Sequence, residues 1–288
     1  MSSSPASSPS SSPQTIRRSV RHQDNGSAGT VLPLAHLVGA VVDRSGSMAS
    51  MGNAPPEQMH SQMIQLKDEA EKTGVSTFMT VVTFDDKREV FMDNVRLDGN
   101  DSLPSYSDFQ SALHPRGTTR FYDTVYEGIV DLEDRRDAYI GSLSNMVKML
   151  NPKIVCSLLV LTDGADNSST DHNQSTVSAR MREARTNGIN AIFLAANIDA
   201  GSAGAALGFA KQATVQMGAT YAGASECMRA VSAGLRQASS GATDVDYSQM
   251  ASISPDMGCI PGDDDLSRQS LRATAAPQMP PMPILRRY

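Results

Sequence analysis

The sequence predicts an α/β fold, a doubly wound and mostly parallel Rossmann-like sheet, on three observations. Short apolar runs of strand length recur through residues 31–240. Segments with helical periodicity separate them. The runs are apolar throughout rather than alternating, which is the pattern of strands covered on both faces.

The elements follow in order. His36–Asp43 (HLVGAVVD) reads as the first buried strand. Met59, Met63, Leu66 and Ala70 then fall at helical spacing, with Pro55 and Pro56 ahead of them and Thr73-Gly74 behind. Proline is tolerated in a first helical turn and glycine ends a last one, so both boundaries are marked. Thr77–Phe84 is the second strand; Glu89–Leu97 follows it after a tight turn and reads as a hairpin arm, hence an antiparallel edge. Phe121, Val125, Ile129 and Leu132 mark a second helix, and Ile154–Thr162 a third long strand. Ser178–Arg185, closed by Asn187-Gly188, is a third helix, and Ile189–Ala196 another strand. Ser225–Ala238 is the last helix, with Val231 and Leu235 expected against the sheet.

Composition divides the chain in three. Residues 1–30 contain ten serines and three prolines, and 241–288 contain six prolines, so these ends hold nine of the fifteen in the chain. Such segments bury too little apolar surface to offset the entropy of ordering, and both are expected to be disordered tails flanking a domain at 31–240. Ser4-Pro5, Ser8-Pro9 and Ser12-Pro13 recur at a regular interval, compatible with proline-directed phosphorylation or with a plain solvated tail. The Arg-containing, acid-poor start also fits an organellar transit peptide, but a solvated tail of an intracellular, cytoplasmic protein is the preferred reading.

Charge and cysteine content exclude several classes. Lys plus Arg total 25 against 31 Asp plus Glu, a net charge of −6, which argues against a globally basic nucleic-acid binder. No apolar run approaches the ~18 residues of a membrane span. The three cysteines, Cys156, Cys227 and Cys259, show no paired spacing, so neither a disulfide scaffold nor a zinc ribbon is expected.

In open α/β sheets, ligands bind beyond the carboxyl ends of the strands. Asp43-Arg44-Ser45-Gly46-Ser47 follows the first strand, and Thr162-Asp163-Gly164 closes the third long one. Arg116-Gly117-Thr118-Thr119 precedes a helix between them. Each place offers carboxylate or hydroxyl oxygens and none offers His or Cys. Two carboxylates with three hydroxyls suit a hard divalent cation, Mg²⁺ or Mn²⁺, because the hydroxyls coordinate without adding charge. Gly46 is expected to let the chain turn so that Ser45 and Ser47 face one point. Asp and Ser after a strand are also common helix caps; three such places in the right order favour a metal site.

These segments resemble the metal-ion-dependent adhesion site of von Willebrand factor A domains, over about residues 34–238. The resemblance rests on the intact Asp43-Arg-Ser45-Gly-Ser47, on Gly117-Thr118, and on Thr162-Asp163-Gly164. GTTRFYD is similar to the family's Gly-Gly-Thr-x-x-x-x-Asp, with Arg116 in place of the first glycine. The stretch FLAANIDAGSAGAALGFA resembles cytoplasmic bacterial and phage members. The resemblance implies a sheet of order 3-2-1-4-5-6 whose antiparallel edge is the hairpin arm. It implies hydroxyl ligands from Ser45, Ser47 and Thr118, with Asp43 and Asp163 acting directly or through water. Thr118, directly after Gly117, is preferred over Thr119.

Rival chemistries lack their marks. There is no GxxxxGK[ST], and the glycines at 201, 204 and 208 do not form GxGxxG. An aspartyl-phosphate motif needs an acid where Ser45 stands, and no triad pattern surrounds any histidine. The expected function is a non-enzymatic protein-interaction module that binds an exposed Asp or Glu of a protein partner through its ion. The alternative is a metal-assisted hydrolase or phosphotransfer enzyme using the same oxygens.

Overall fold

A computed structural model describes residues 33–218, 220–242, 245–247 and 260–261. The N-terminal tail and its Ser-Pro repeats, and most of the C-terminal tail, lie outside the described residues.

The central strand β1 (Ala35–Asp43) is buried along its whole length, as its unbroken apolar run requires. It pairs in parallel with β2 (Ser76–Phe84) on one side and β4 (Ile154–Thr162) on the other. β5 (Ile189–Ala195) and β6 (Thr214–Gln216) continue the parallel array. β3 (Arg88–Arg96) is the expected hairpin arm, antiparallel to β2. A two-residue strand, β7 (Ile260–Pro261), runs antiparallel to β6. The sheet order is β3-β2-β1-β4-β5-β6-β7, which is the expected 3-2-1-4-5-6 with a second antiparallel edge added.

The side chains of β1 alternate between two cores, as the period of two dictates. Val38, Ala40 and Val42 meet Met59, Met63 and Leu66 of α1 (Ala54–Thr73) and Val231 and Leu235 of α7 (Tyr221–Ser239). Leu37 and Val41 meet Val125, Ile129 and Leu132 of α3 (Phe121–Ser142) and Val177 and Met181 of α5 (Gln174–Thr186). α3 lies unusually close to β1. A Cβ on Gly128 would stand 2.7 Å from Val41 Cγ2, so glycine is required for that approach.

Short elements escaped the sequence reading: α2 (Tyr106–Ala112), α4 (Asn145–Met149), α6 (Ala200–Ala206), β6 and a 3-10 turn over Gly46–Met51. Two turns or fewer carry too little periodicity to register. Only α2 announces itself, through the reciprocal capping of Ser105 and Asp108. Among the described residues no helix is long and apolar enough to cross a membrane.

The ordered unit also runs past the expected limit at 240. Val245 and Tyr247 are buried in the core shared by α1 and α7. Gly234 of α7 makes room, since a Cβ there would stand 2.3 Å from the Tyr247 ring. The buried phenol is satisfied by Asn190 Nδ2, which donates to it at 2.6 Å. The composition of the tail hid this anchor because one aromatic residue carries it. Cys227 on α7 is disulfide-bonded, a bond the cysteine count did not lead one to expect, while Cys156 is a buried free thiol.

Two predictions follow from the packing. Tyr247→Ala should destabilise the protein by about 3 kcal/mol or more, since it empties a large aromatic site; urea denaturation showing a loss below about 1 kcal/mol would refute the anchor. The second concerns His36, which is fully buried and bonded through Nε2 to Ser157 Oγ at 2.9 Å. Burial pushes its pKa down from 6.5 to about 4. The unfolded chain therefore binds the proton first on acidification. Stability is complete above the unfolded value and fades as pH falls toward the folded one, with about 2 kcal/mol lost by about pH 5. His36→Gln should flatten that slope in denaturation curves; an unchanged slope would assign it to other groups.

Candidate metal centre

β1 and β4 are parallel neighbours in register up to Val42 and Leu161, so their carboxyl ends open side by side. The sheet order reverses at this point, from β2 and β3 on one side to β4 and β5 on the other. The crevice between them carries four of the five expected residues.

Asp43, the last residue of β1, is 1 % exposed. Its Oδ1 accepts the Ser45 amide at 2.7 Å, and its Oδ2 accepts the Thr162 hydroxyl of β4 at 2.7 Å. Burial pushes its pKa up to about 6, against the pull of those hydrogen bonds, and the charge of Asp163 raises it further. Asp163 is raised by burial too, while Ser47 and Asn197 donate to it and pull the other way. Ser47 Oγ donates to Asp163 Oδ1 at 2.6 Å, and Ser45 Oγ lies 3.1 Å from Ser47 Oγ. The result is a row of oxygens that starts at buried Ser45 and reaches solvent at exposed Ser47.

The threonine differs from the expectation. Thr118 is exposed and its hydroxyl donates outward to Ser168 Oγ at 3.2 Å. Thr119 is buried, and its Oγ1 faces the bare Cα of Gly164: a Cβ built there would lie 4.0 Å from Thr119 Oγ1 and 3.8 Å from Ser47 Oγ. The cause is backbone pairing. Arg116 N–H donates to Arg44 O at 2.8 Å and Gly46 N–H to Gly117 O at 3.3 Å, which lays this loop along the Ser45–Ser47 loop. Thr119 N–H donates to Asn167 Oδ1, and Thr119 O accepts the amides of Asn167 and Ser168. Those bonds fix which of two successive residues points inward.

Gly46 also differs. It begins the 3-10 turn and is not at positive φ; the left-handed glycine is Gly117, with φ of 68°. There a Cβ would stand 2.8 Å from Asp86 Oδ1 and 3.2 Å from Asp85 Cβ, so glycine is needed for both reasons.

Several residues that shape the centre were missed in the sequence. Arg44, within the DRSGS motif, is buried. Its Nε donates to buried Asp85 at 3.0 Å, a second guanidinium nitrogen lies 2.8 Å from Glu89, and Nη1 donates to Ala112 O. Arg116 joins the same acids, at 2.7 Å to Asp85 and 2.8 Å to Glu89. The arginine standing where the resembling motif has glycine is thus part of a four-residue ion-pair ring. Asn197, at φ of 57°, donates to Asp163 Oδ2 at 3.3 Å. Asp123 is fully buried and accepts the amides of Thr170, Asp171 and His172, which ties down the loop after Asp163. No spacing rule exposes such pairs, because their members are 27 or more positions apart; only the single basic residue inside the DRSGS motif hinted at Arg44.

The oxygens suit a hard cation. Neighbouring vertices of an Mg²⁺ octahedron with ligands at about 2.0–2.1 Å are about 3 Å apart. The Ser47–Asp163 and Ser45–Ser47 spacings of 2.6 and 3.1 Å bracket that edge. Among the described residues no group of three or more His, Cys, Asp or Glu is placed to hold a metal ion; what the crevice offers is two carboxylates with hydroxyls.

Solved structures similar to this chain include proximal thread matrix protein 1 from the mussel byssus, described with a zinc-occupied MIDAS motif (TM-score 0.43, 15% identity, covering 80% of this chain and 48% of that one). They include a von Willebrand factor type A protein from Catenulispora acidiphila (0.41, 16%, 70% and 43%) and the SpRpn10 VWA domain (0.44, 13%, 70% and 95%). The chain spans about half the length of the first of these and less of the second. No family model and no curated protein matches the sequence.

The ion-pair ring generates a contrast. Asp85→Ala strands a buried guanidinium and should cost about 3 kcal/mol or more. Arg116, with its side chain 54 % exposed, should cost under about 1 kcal/mol on truncation to Ala. Equal losses in urea denaturation would overturn the assignment of Arg44 and Asp85 as the buried pair.

Proposed function

We propose that the chain is a metal-dependent protein-interaction module whose crevice holds Mg²⁺ or Mn²⁺ and, through it, an Asp or Glu of a protein partner. Ser45, Ser47 and Thr119 are the hydroxyl donors in this reading, with Thr119 replacing Thr118. Asp43 and Asp163 supply the negative charge, directly or through water. The observation that carries the reading is the row of oxygens at octahedral-edge spacing, ending in solvent beside two buried carboxylates.

A bound cation would supply a strong electrophile with exchangeable positions for a carboxylate oxygen. The protein's own residues do the rest. Asp43 keeps both oxygens tied to the Ser45 amide and Thr162 hydroxyl, and so holds the two loops at one separation. Asn197 orients Asp163. Two carboxylates formally balance a divalent ion, while the neutral hydroxyls add no further charge and leave it electrophilic, with positions that an acidic oxygen from outside can fill.

Metal-assisted hydrolysis is the second reading. It needs a nucleophile, either a side chain paired with a base or a water that a bound ion would activate. The Ser157–His36 contact has that chemistry, but both residues are sealed in the core at 0 % exposure. The hydroxyls of the crevice are bonded to one another and to carboxylates.

Isothermal titration with Mg²⁺ and Mn²⁺ tests the site. Asp163→Ala and Thr119→Ala should each weaken binding about tenfold or more, a loss of roughly 1.4 kcal/mol, whereas Thr118→Ala should stay within about twofold. Wild-type affinity in Asp163→Ala would sink the metal reading. Partner capture should succeed in Mg²⁺ and fail in chelator; a complex that persists in chelator would place the interface elsewhere.

A further inference from the structure

We propose that a cavity beside the metal centre seats a lysine or arginine side chain of the same protein partner, close in sequence to the acidic residue that meets the ion. The inference deepens the metal-centre reading and rests on it for the identity of the partner.

The cavity encloses about 360 Å³ between the start of α3, the loop after β4, and α6. It is of a size to admit a side chain, at the small end of ligand sites, which run to about 300–1,000 Å³. Phe121 and Leu207, both buried, give it an apolar floor, and half-buried Ile198 extends it. Asp166, half-buried, and Asp199, exposed, line it nearer to solvent. Among the described residues that line it there is no lysine, arginine or histidine.

The two carboxylates have neutral partners. Asp166 Oδ1 accepts the amides of Phe121 and Tyr122 and the Ser169 hydroxyl. Asp199 accepts the amide and hydroxyl of Ser202. These bonds fix both groups in place without cancelling their charge. An uncharged apolar side chain in the cavity would strip water from two carboxylates and return nothing. An acidic one would be repelled. A side chain with an aliphatic stem and a cationic head satisfies both halves of the lining: methylenes on the floor, and charge-assisted hydrogen bonds at the acids.

Gly164 joins the two sites. It lines the cavity, and its Cα is also the surface faced by Ser47 Oγ and Thr119 Oγ1. A peptide that presents a carboxylate to those oxygens therefore passes the cavity within a residue or a few. The pairing of one acidic and one basic anchor gives the partner a polarity that the ion alone lacks, since the ion accepts any exposed carboxylate.

The test has two arms on the full-length chain. In the first, n-butylguanidinium and neutral n-butylurea, which share a stem, are titrated in chelator while the methyl resonances of Ile198, Ala203 and Leu207 are followed. The cation should bind about fivefold tighter than the urea, and Asp199→Asn, which retains an N-cap residue for α6, should reduce the ratio below about twofold. Equal binding of the two probes, or no response at these methyls, overturns the proposal. The second arm uses peptides with one Asp and either Lys or norleucine one to three residues away, in Mg²⁺ and in chelator. A preference of about fivefold for the Lys peptides in Mg²⁺ supports the proposal. Mg²⁺-dependent binding without that preference overturns the subsite and leaves the metal reading standing. Cation-selective probe binding with no effect of Mg²⁺ on any peptide overturns the metal reading and leaves the subsite standing.

Discussion

Two carboxylates buried next to each other at the end of a sheet are the constraint on which the rest of this structure depends. Desolvation raises both Asp43 and Asp163, and the charge of Asp163 raises Asp43 further. A fold tolerates that arrangement only if donors surround the acids. Here four donors come from three separate segments: the Ser45 amide and Ser47 hydroxyl of one loop, the Thr162 hydroxyl and the Asn197 amide group. The Asp43–Thr162 bond crosses from β1 to β4, so the parallel pairing of those strands and the site are one feature. Without the register of β1 on β4, the acids would not meet the hydroxyls.

The loops that carry these donors are short of regular structure and are held instead by a ring of charges. Arg44 and Asp85 are both buried, and their pairing joins the Ser45–Ser47 loop to the hairpin turn after β2. Arg116 reaches the same acid from the third loop. A buried ion pair contributes little net stability compared with apolar packing, but removing one member is costly. Its effect here is geometric: three loops that the sheet alone would leave independent share one anchor. Asp123 does the same for the loop after Asp163 by accepting three successive amides. Asp166 reaches the amides of Phe121 and Tyr122, and so caps α3, whose own N-cap residue, Arg120, makes no side-chain capping bond. The helix and the loop therefore order each other.

The core answers the shortage of aromatics with methionine. Met59 and Met63 of α1, Met79 of β2, and Met48 and Met51 of the 3-10 turn are all buried in one core. Flexible thioethers fill the irregular gap between a helix and a twisted sheet where few rings are available. Tyr247 is the exception, a single large anchor that draws the segment after α7 onto the core.

The sequence by itself determined the fold class, the long strands and helices, and the membership of Asp43, Ser45, Ser47 and Asp163 in one crevice. These follow from periodicity and from position at strand ends, both set by covalent spacing along the chain. It did not determine which threonine joins them, that Gly117 and not Gly46 takes the left-handed turn, or that Arg44, Asp85 and Arg116 form a ring. Each of those depends on a backbone hydrogen bond or an ion pair between residues far apart in the chain. Thr118 and Thr119 are adjacent and chemically alike, and only the bonds from Asn167 and Ser168 decide which one faces the crevice. The anchoring of Tyr247 is of the same kind. A tail's composition measures how much apolar surface it carries, whereas docking depends on one bare glycine, Gly234, waiting on a helix.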